Sequence, residues 1–327
     1  MGSTDPVPDV TVMLPTYRRA RSLALALAGL ATQRAPGAQW EVIVVDNEPA
    51  PGSESVVIEA TGSMPVPLRY VREPILGVSS ARNRGIAEAR GAVCALLDDD
   101  VVPDPGWLAA LVEPLLAGRC EAVGGHVVLD PMVSRPRWLD EAGLGGYLTR
   151  FEPATEQRAL HEGEVLVTAS AAALTDRLRD IGGFDSRFGP RGRRHLVADD
   201  DYLSRRLAAA GCRLRYVPDA VVVHELPTER LSRRYLLRRA WLHGRSEWLL
   251  DREVLERGRF NGAGPAVNRL ASEARRRWAE GLSDPAVRFH LLCDLVRSAA
   301  SIGEGSSWWF DGPASGGSSH FHRVGAQ

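Results

Sequence analysis

Apolar positions follow two rhythms along the first hundred residues. Short unbroken runs, "VTVMLP" (10–15, closed by Pro15), "WEVIVVD" (40–46) and "AVCALL" (92–97), have the length of strands buried on both faces, and "LRYVRE" (68–73) is a further strand candidate. Between them lie "RSLALALAGLATQ" (21–33), rich in helix formers and stopped by "APGA", and "VSSARNRGIAEAR" (78–90). The second has small and apolar residues on one side and arginines on the other. Strands alternating with helices of this length predict an α/β fold, a mostly parallel Rossmann-like sheet with helices on both faces.

The pattern continues with "CEAVGGHVVLD" (120–130), an irregular Pro/Gly segment to about 160 and "EVLVTASAAAL" (164–174). A helix is expected over "YLSRRLAAAG" (202–211), ended by Gly211, and a strand over "AVVVH" (220–224). After Pro227 the chain becomes Arg-rich and helical, with further helices expected around 266–281 and 285–300. The last stretch is Gly/Ser-rich and reads as disordered. The expected organisation is an α/β unit over 1–225, a helical C-terminal extension over 226–310 and a disordered tail over 311–327.

In open α/β sheets, ligands sit at the carboxyl ends of the strands. Polar residues collect there: Thr16 and Tyr17 after the first strand, Asp46 after the second, Asp98, Asp99 and Asp100 after "AVCALL", and His224 after "AVVV". Three adjacent carboxylates repel one another, and a hard divalent cation (Mg²⁺ or Mn²⁺) bridging to a diphosphate would neutralise them. The plain alternative is an acidic turn or cap before "PDPGWLAAL", although Asp104, ahead of Pro105, is better placed to cap. The aspartate-rich motif of isoprenoid enzymes sits on a helix, whereas this run follows a strand and is interrupted by Pro103. A second acidic run, "ADDDYLSRRL", opens a helix, where the macrodipole alone would favour negative charge.

Composition changes this picture little. At 327 residues, 44% hydrophobic and 25% charged, the chain reads as an ordinary soluble protein with a real core. A net charge of −1 gives no reason to expect a nucleic-acid partner. All 40 basic residues counted as Lys or Arg are arginine. The four cysteines are scattered among apolar neighbours without metal spacing, as expected of buried thiols in a reducing compartment. No signal-peptide pattern and no apolar run of about 20 residues is present, so a cytoplasmic protein is expected. In "RLSRRYLLRRAWLHGRSEWLL", Leu231, Tyr235, Leu236, Leu242 and two tryptophans recur near helical spacing. That face packs on the core, or alternatively binds the acceptor or touches the inner face of a membrane peripherally.

The stretches "VTVMLPTYRRARSLALAL", "WEVIVVDNE", "GVSSARNRGIAEARGAVCALLDDDVVPDPGWL", "IGGFDSRFG" and "ADDDYLSRRLAAAG", in this order over about residues 9–225, resemble the family 2 glycosyltransferases of the GT-A fold. The resemblance implies inverting transfer from a nucleotide-sugar, a UDP-sugar first among them, assisted by Mn²⁺ or Mg²⁺. It implies that Pro15, Thr16 and Tyr17 line the nucleoside pocket and that Asp46 accepts a hydrogen bond from the base. Arg82 and Asn83 would support the nucleotide side. Asp98 and Asp100 match the DxD motif, with Asp99 between them, and Asp100 and His224 would hold the metal. Asp200 would be the base that takes the acceptor's proton, with Asp199 beside it; a one-residue shift would give that role to Asp201. In the strand before "GGFD", the polar residue available is Ser170. The loop "GPRGRRH" reads equally as a mobile lid and as a solvated basic loop. The acceptor stays open among glycans, lipid-linked sugars and natural products. A non-catalytic nucleotide-sugar-binding scaffold is the competing function. A sugar nucleotidyltransferase would carry a Gly-rich loop after the first strand, and "LPTYRRARS" has no glycine.

Overall fold

The computed structural model describes residues 7–255, apart from 35, 36, 51, 142, 162, 192 and 193, together with 272 and 284–311. The helix expected over 266–281, residue 272 excepted, and the tail from 312 lie outside the described residues.

The chain runs β1 (Val10–Thr16), α1 (Ala20–Ala31), β2 (Trp40–Asp46), α2 (Glu54–Thr61), β3 (Leu68–Arg72), α3 (Val78–Glu88), β4 (Val93–Leu97), β5 (Val101–Pro103) and α4 (Trp107–Leu116). It continues with β6 (Ala122–Leu129), α5 (Arg137–Glu141), a 3₁₀ turn (Leu144–Leu148), β7 (Arg158–Ala159), β8 (Ser170–Leu174) and α6 (Thr175–Asp180). Then come β9 (Gly189–Arg191), β10 (Arg194–Leu196), α7 (Asp199–Ala209), β11 (Leu214–His224), a second 3₁₀ turn (Thr228–Leu231), α8 (Arg233–Leu255) and α9 (Pro285–Asp311).

The main sheet has the order β3-β2-β1-β4-β8-β6-β11-β5, with β7 on β11. β3, β2, β1 and β4 are parallel, and β6 is parallel to β11. β8 lies antiparallel between β4 and β6, so β1, β2, β3, β4, β6 and β11 share one direction. The expectation of a mostly parallel sheet flanked by helices holds.

The continuous apolar runs are explained by burial on both faces. Val10, Val12 and Leu14 pack into one cluster with Leu23, Ala26, Leu27 and Leu30 of α1, whereas Met13, Ile43 and Val45 join a second with Ala81 and Ile86 of α3. Each such buried side chain contributes about 1.5–3 kcal/mol relative to exposure. β1 extends one residue beyond Pro15. That is tolerated because its pairing with β4 ends at Met13↔Leu96, and further on only β2 lies beside it.

α7 begins three residues before the expected helix, taking in all three aspartates, and closes on Gly211 at φ +79°. Its N-cap is Ala198 at φ +81°, a left-handed conformation that favours glycine. The Arg-rich loop folds as an antiparallel pair, β9 with β10, whose arginine side chains lie outside the described ones. α8 and α9 pack together and bury Leu236, Ala240, Ala286, Phe289 and Cys293 against Leu129 at the end of β6 and Leu144 and Leu148 of the first 3₁₀ turn. α9 runs eleven residues past the helix expected at 285–300. No helix among the described residues is long and apolar enough to cross a membrane.

Candidate active site

The carboxyl ends of β1, β2, β4 and β11 and the start of α7 open into one cavity of about 530 Å³. β1 contributes Pro15 and Thr16, followed by Tyr17 and Arg19; Asn47 follows β2; Leu76, Val78, Ala81 and Arg82 come from α3 and the residues before it. Asp98, Asp99 and Asp100 follow β4, and Thr168, Asp199, Asp200 and His224 complete the acidic region. Thr149, Arg230, Tyr235 and Arg239 come from the first 3₁₀ turn's end, the second 3₁₀ turn and α8.

Each carboxylate has a distinct environment. Asp99 is buried; it accepts a hydrogen bond from Thr16 Oγ1 at 2.8 Å and one from Arg19 Nη1 at 2.9 Å. Burial pushes its carboxyl up to about 6, with the charge of Asp100 adding and that of Arg19 opposing. Asp100 accepts from the same Arg19 nitrogen at 2.8 Å, and has His224 Nε2 and Arg230 Nη2 each 3.6 Å from its Oδ2. Burial acts against its ionisation, but His224, Arg19 and Arg230 outweigh it and hold the carboxyl below the usual range.

Arg82, almost wholly buried, joins the two acidic runs. It donates to Asp98 Oδ1 at 2.8 Å through one terminal nitrogen and to Asp199 through the other. Burial disfavours its charge, yet Asp98, Asp199 and Asp200 together keep it firmly protonated. Asp200 accepts from the backbone N of Thr168 at 3.2 Å and from the Thr168 hydroxyl. Burial, then the charge of Asp199, pushes its carboxyl up to about 7 against the pull of Arg82 and Thr168. A carboxylate poised near neutrality beside a cavity can take a proton from a bound hydroxyl. Asp201, one step further round α7, is absent from the cavity lining; burial raises its carboxyl against the charges of Arg205 and Arg297.

The sequence-expected residues thus converge, with two exceptions. Asp46 is fully buried behind the cavity and does not line it: it accepts from Tyr70 Oη at 2.7 Å and from the backbone N of Glu48 at 2.9 Å. Asn47 lines the cavity instead, its side chain pinned by bonds to the backbone of Glu73, Ile75 and Gly77. Asn83 also stands off the cavity, exchanging two 2.8 Å hydrogen bonds with the backbone of Phe184. It clamps the "GGFD" turn, in which Gly183 at φ +68° brings the backbone so close to Asn83 that a Cβ would collide. Ser170 accepts from Trp107 Nε1 at 2.9 Å within the core, and Thr168 two residues earlier is the polar partner of Asp200. Arg19, Thr168, Arg230 and Arg239 are not among the residues the sequence points to, whereas Tyr235 lies on the helix face expected to pack on the core or alternatively to bind the acceptor. For Arg19 the only signal was its place in the polar segment directly after β1.

A divalent cation fits this donor set. Asp100 and His224 present a carboxylate oxygen and an imidazole nitrogen 3.6 Å apart, a combination suited to Mn²⁺. His224 Nδ1 is buried without a hydrogen-bond partner among the described residues. No group of three or more His, Cys, Asp or Glu side chains is assembled for a metal among the described residues, so phosphate oxygens of a ligand would have to complete the shell.

Comparison with known proteins shows the family and the fold. Residues 11–179, just over half the chain, match the profile described as Glycosyl transferase family 2. The chain is 25% identical over 261 residues to glycosyltransferase AglE of Haloferax volcanii, covering 78% of this chain and 79% of that protein. It is 29% identical over 232 residues to the succinoglycan biosynthesis protein ExoM of Rhizobium meliloti, covering 71% of each. Among solved structures, the mannosyltransferase PcManGT from Pyrobaculum calidifontis in complex with GDP-Man and Mn²⁺ superposes with a TM-score of 0.58 at 22% identity, over 91% of this chain and 87% of that one. S. aureus TarS 1-349 in complex with UDP gives 0.52 at 13% identity, over 93% and 92%. These structural likenesses are of fold.

Proposed function

The chain belongs to glycosyl transferase family 2 and is a glycosyltransferase on a GT-A fold, and from that premise we propose an inverting, metal-assisted transfer of a sugar from a nucleoside diphosphate to an acceptor hydroxyl. One observation carries the reading: Asp98–Asp100 and Asp199–Asp200, a hundred residues apart in the chain, face a single cavity. A single displacement needs two separate devices, one for the leaving diphosphate and one for the incoming hydroxyl. Two acidic runs in one cavity supply both.

In this reading Pro15, Thr16, Tyr17 and Asn47 bind the nucleoside, and Asp46 acts from behind by holding the segment after β2. Asp100 and His224 would hold Mn²⁺ or Mg²⁺, which, when bound, stabilises charge on the departing diphosphate as a Lewis acid. Asp200 orients the acceptor hydroxyl and accepts its proton at a carboxylate oxygen; Thr168 fixes the rotamer that makes this possible. Arg82 fixes the base helix relative to the diphosphate site.

UDP-sugars are the first donors to test, with GDP- and dTDP-sugars as the alternatives. The experiment is a thermal-shift screen of these donors with and without Mn²⁺. The right donor should stabilise the protein by about 2.7 kcal/mol at a hundredfold excess over Kd. Chelation of the metal, or Asp100→Ala, should abolish that shift while the ligand-free protein still melts cooperatively. A donor shift that survives both would remove the metal from the reading. No shift with any donor would remove the proposed nucleotide-sugar donors.

A further inference from the structure

The charges around the cavity are not evenly matched. Arg19 is engaged by Asp99 and Asp100, Arg82 by Asp98 and Asp199, and Arg230 stands 3.6 Å from Asp100. Arg239 differs from these three. It reaches the same cavity from α8, it makes no ion pair among the described residues, and its Nε is buried without a hydrogen-bond partner. Tyr235, one helical turn earlier, lines the cavity with it. His243, a turn further along α8, is held well below its usual value by burial first and then by the charges of Arg239 and Arg297, the latter paired with Glu247.

Arg239 therefore brings to the cavity a guanidinium that no carboxylate among the described residues neutralises, and an anionic ligand would supply the missing partner. We propose that Arg239, with Tyr235, forms an acceptor subsite that recognises an oxyanion, phosphate or carboxylate, carried by the acceptor molecule. The inference rests on the glycosyltransferase reading and deepens it: the acceptor is an acidic molecule, such as a sugar acid, a sugar phosphate or a lipid-linked phosphate, in preference to a neutral glycan. The planar guanidinium fork matches two oxyanion oxygens, a geometry an ammonium group does not offer. Arg239 belongs to the acceptor and not to the donor for a positional reason. In sheets of this kind the nucleotide lies at the carboxyl ends of the strands, where Arg19 and Arg230 already face Asp100. Arg239 is outside ion-pair range of those carboxylates and comes from α8, which is no part of the sheet.

Calorimetric titration of the full chain preloaded with Mn²⁺ and UDP (or the diphosphate selected by the donor screen) tests this. The probes are glucose 1-phosphate, decyl phosphate, glucuronate and neutral methyl glucoside. At least one acidic probe should bind at least about 10-fold more tightly than methyl glucoside, and R239Q should weaken it by about 10- to 100-fold. Nucleotide affinity should be unchanged in R239Q, and R239K should recover part of the loss. The acid bound best names the source, decyl phosphate pointing to a lipid and the others to a soluble saccharide. Equal affinity for acidic and neutral probes, or undiminished acid binding by R239Q, would overturn the proposal. So would acids that compete with UDP, because Arg239 would then serve the donor. Failure of every nucleotide to bind would overturn the proposed nucleotide-sugar donor and this inference together, and it is visible before any acidic probe is added.

Discussion

Arg82 on α3 and Asp199 in the first turn of α7 form a largely buried ion pair across 117 residues of chain. Through its other terminal nitrogen Arg82 also holds Asp98, so one side chain fixes the spacing between the two acidic ends of the cavity. Replacing it with Met leaves Asp98 and Asp199 facing each other and Asp200 without their shared cation. Removing one partner of a buried pair costs about 3–5 kcal/mol. Urea unfolding of Arg82→Met should show a loss of that order, and Arg82→Lys, which cannot fork to two carboxylates, should fall between. Unchanged midpoints would mean that the pair is only a contact of convenience.

Transfer should depend most on Asp200 among the three aspartates that open α7. Asp200→Asn should lower kcat by about 10² to 10⁴-fold with donor affinity retained, the size expected of a lost general base. Asp201→Asn should lose little, because Asp201 does not line the cavity. With the base pushed up to about 7, wild-type kcat should fall as the pH drops through neutrality. A deeper loss in Asp201→Asn, seen in steady-state kinetics, would transfer the role to that residue.

The same carboxyl makes stability depend on pH in a stated direction. Asp200 titrates at about 7 in the folded protein and at about 3.9 in the unfolded chain. Between those values the folded state holds a proton that the unfolded state has released, so its contribution, complete below about pH 4, is lost as pH rises through 7. Asp200→Asn cannot ionise and keeps an oxygen for the Thr168 hydroxyl. Its melting temperature should therefore equal or exceed that of the wild type at pH 8, and the gap should narrow toward pH 5. A mutant less stable at pH 8 would contradict this.

Asp46 should act through the segment it holds. Asp46→Ala should raise the donor KM more than it lowers kcat, since nucleoside binding is common to ground and transition states. Tyr70→Phe, which removes only the 2.7 Å hydrogen bond to Asp46, should raise KM in the same direction by a smaller factor. If KM rises in Asp46→Ala and stays at the wild-type value in Tyr70→Phe, Asp46 acts by touching the nucleotide.

Ala198 pays for the geometry at the start of α7 with backbone strain. Its φ of +81° costs an L-residue roughly 1–2 kcal/mol, part of which Gly returns as entropy of the unfolded chain. Ala198→Gly should stabilise the protein by up to about 1 kcal/mol without altering kcat, read by denaturant midpoint and initial rates. A destabilised mutant would show that the Ala198 methyl, packed with Phe188 and Leu250, matters more than the strain.

The sequence by itself determined the sheet and the neighbourhood of the site. Runs such as "VTVMLP" and "WEVIVVD" are apolar at consecutive positions because both faces of their strands are covered, and that property is local to each run. Polar residues at the ends of those runs therefore had to gather at one edge of the sheet, as Thr16, Asp98–Asp100 and His224 do. What a residue at that edge does was decided only by the tertiary structure. Asp46 and Asn47 are adjacent, yet the direction of the strand turns the first into the core and the second toward the cavity. Asp199, Asp200 and Asp201 are identical in type, and only the starting register of α7, set by the left-handed Ala198, divides them into an ion pair, a raised carboxyl at the cavity and a carboxyl outside it. The contacts that set their charge, Arg82 to Asp199 and Thr168 to Asp200, join segments 117 and 32 residues apart. Electrostatic energy depends on distance in space and on burial, neither of which is encoded in the spacing along the chain.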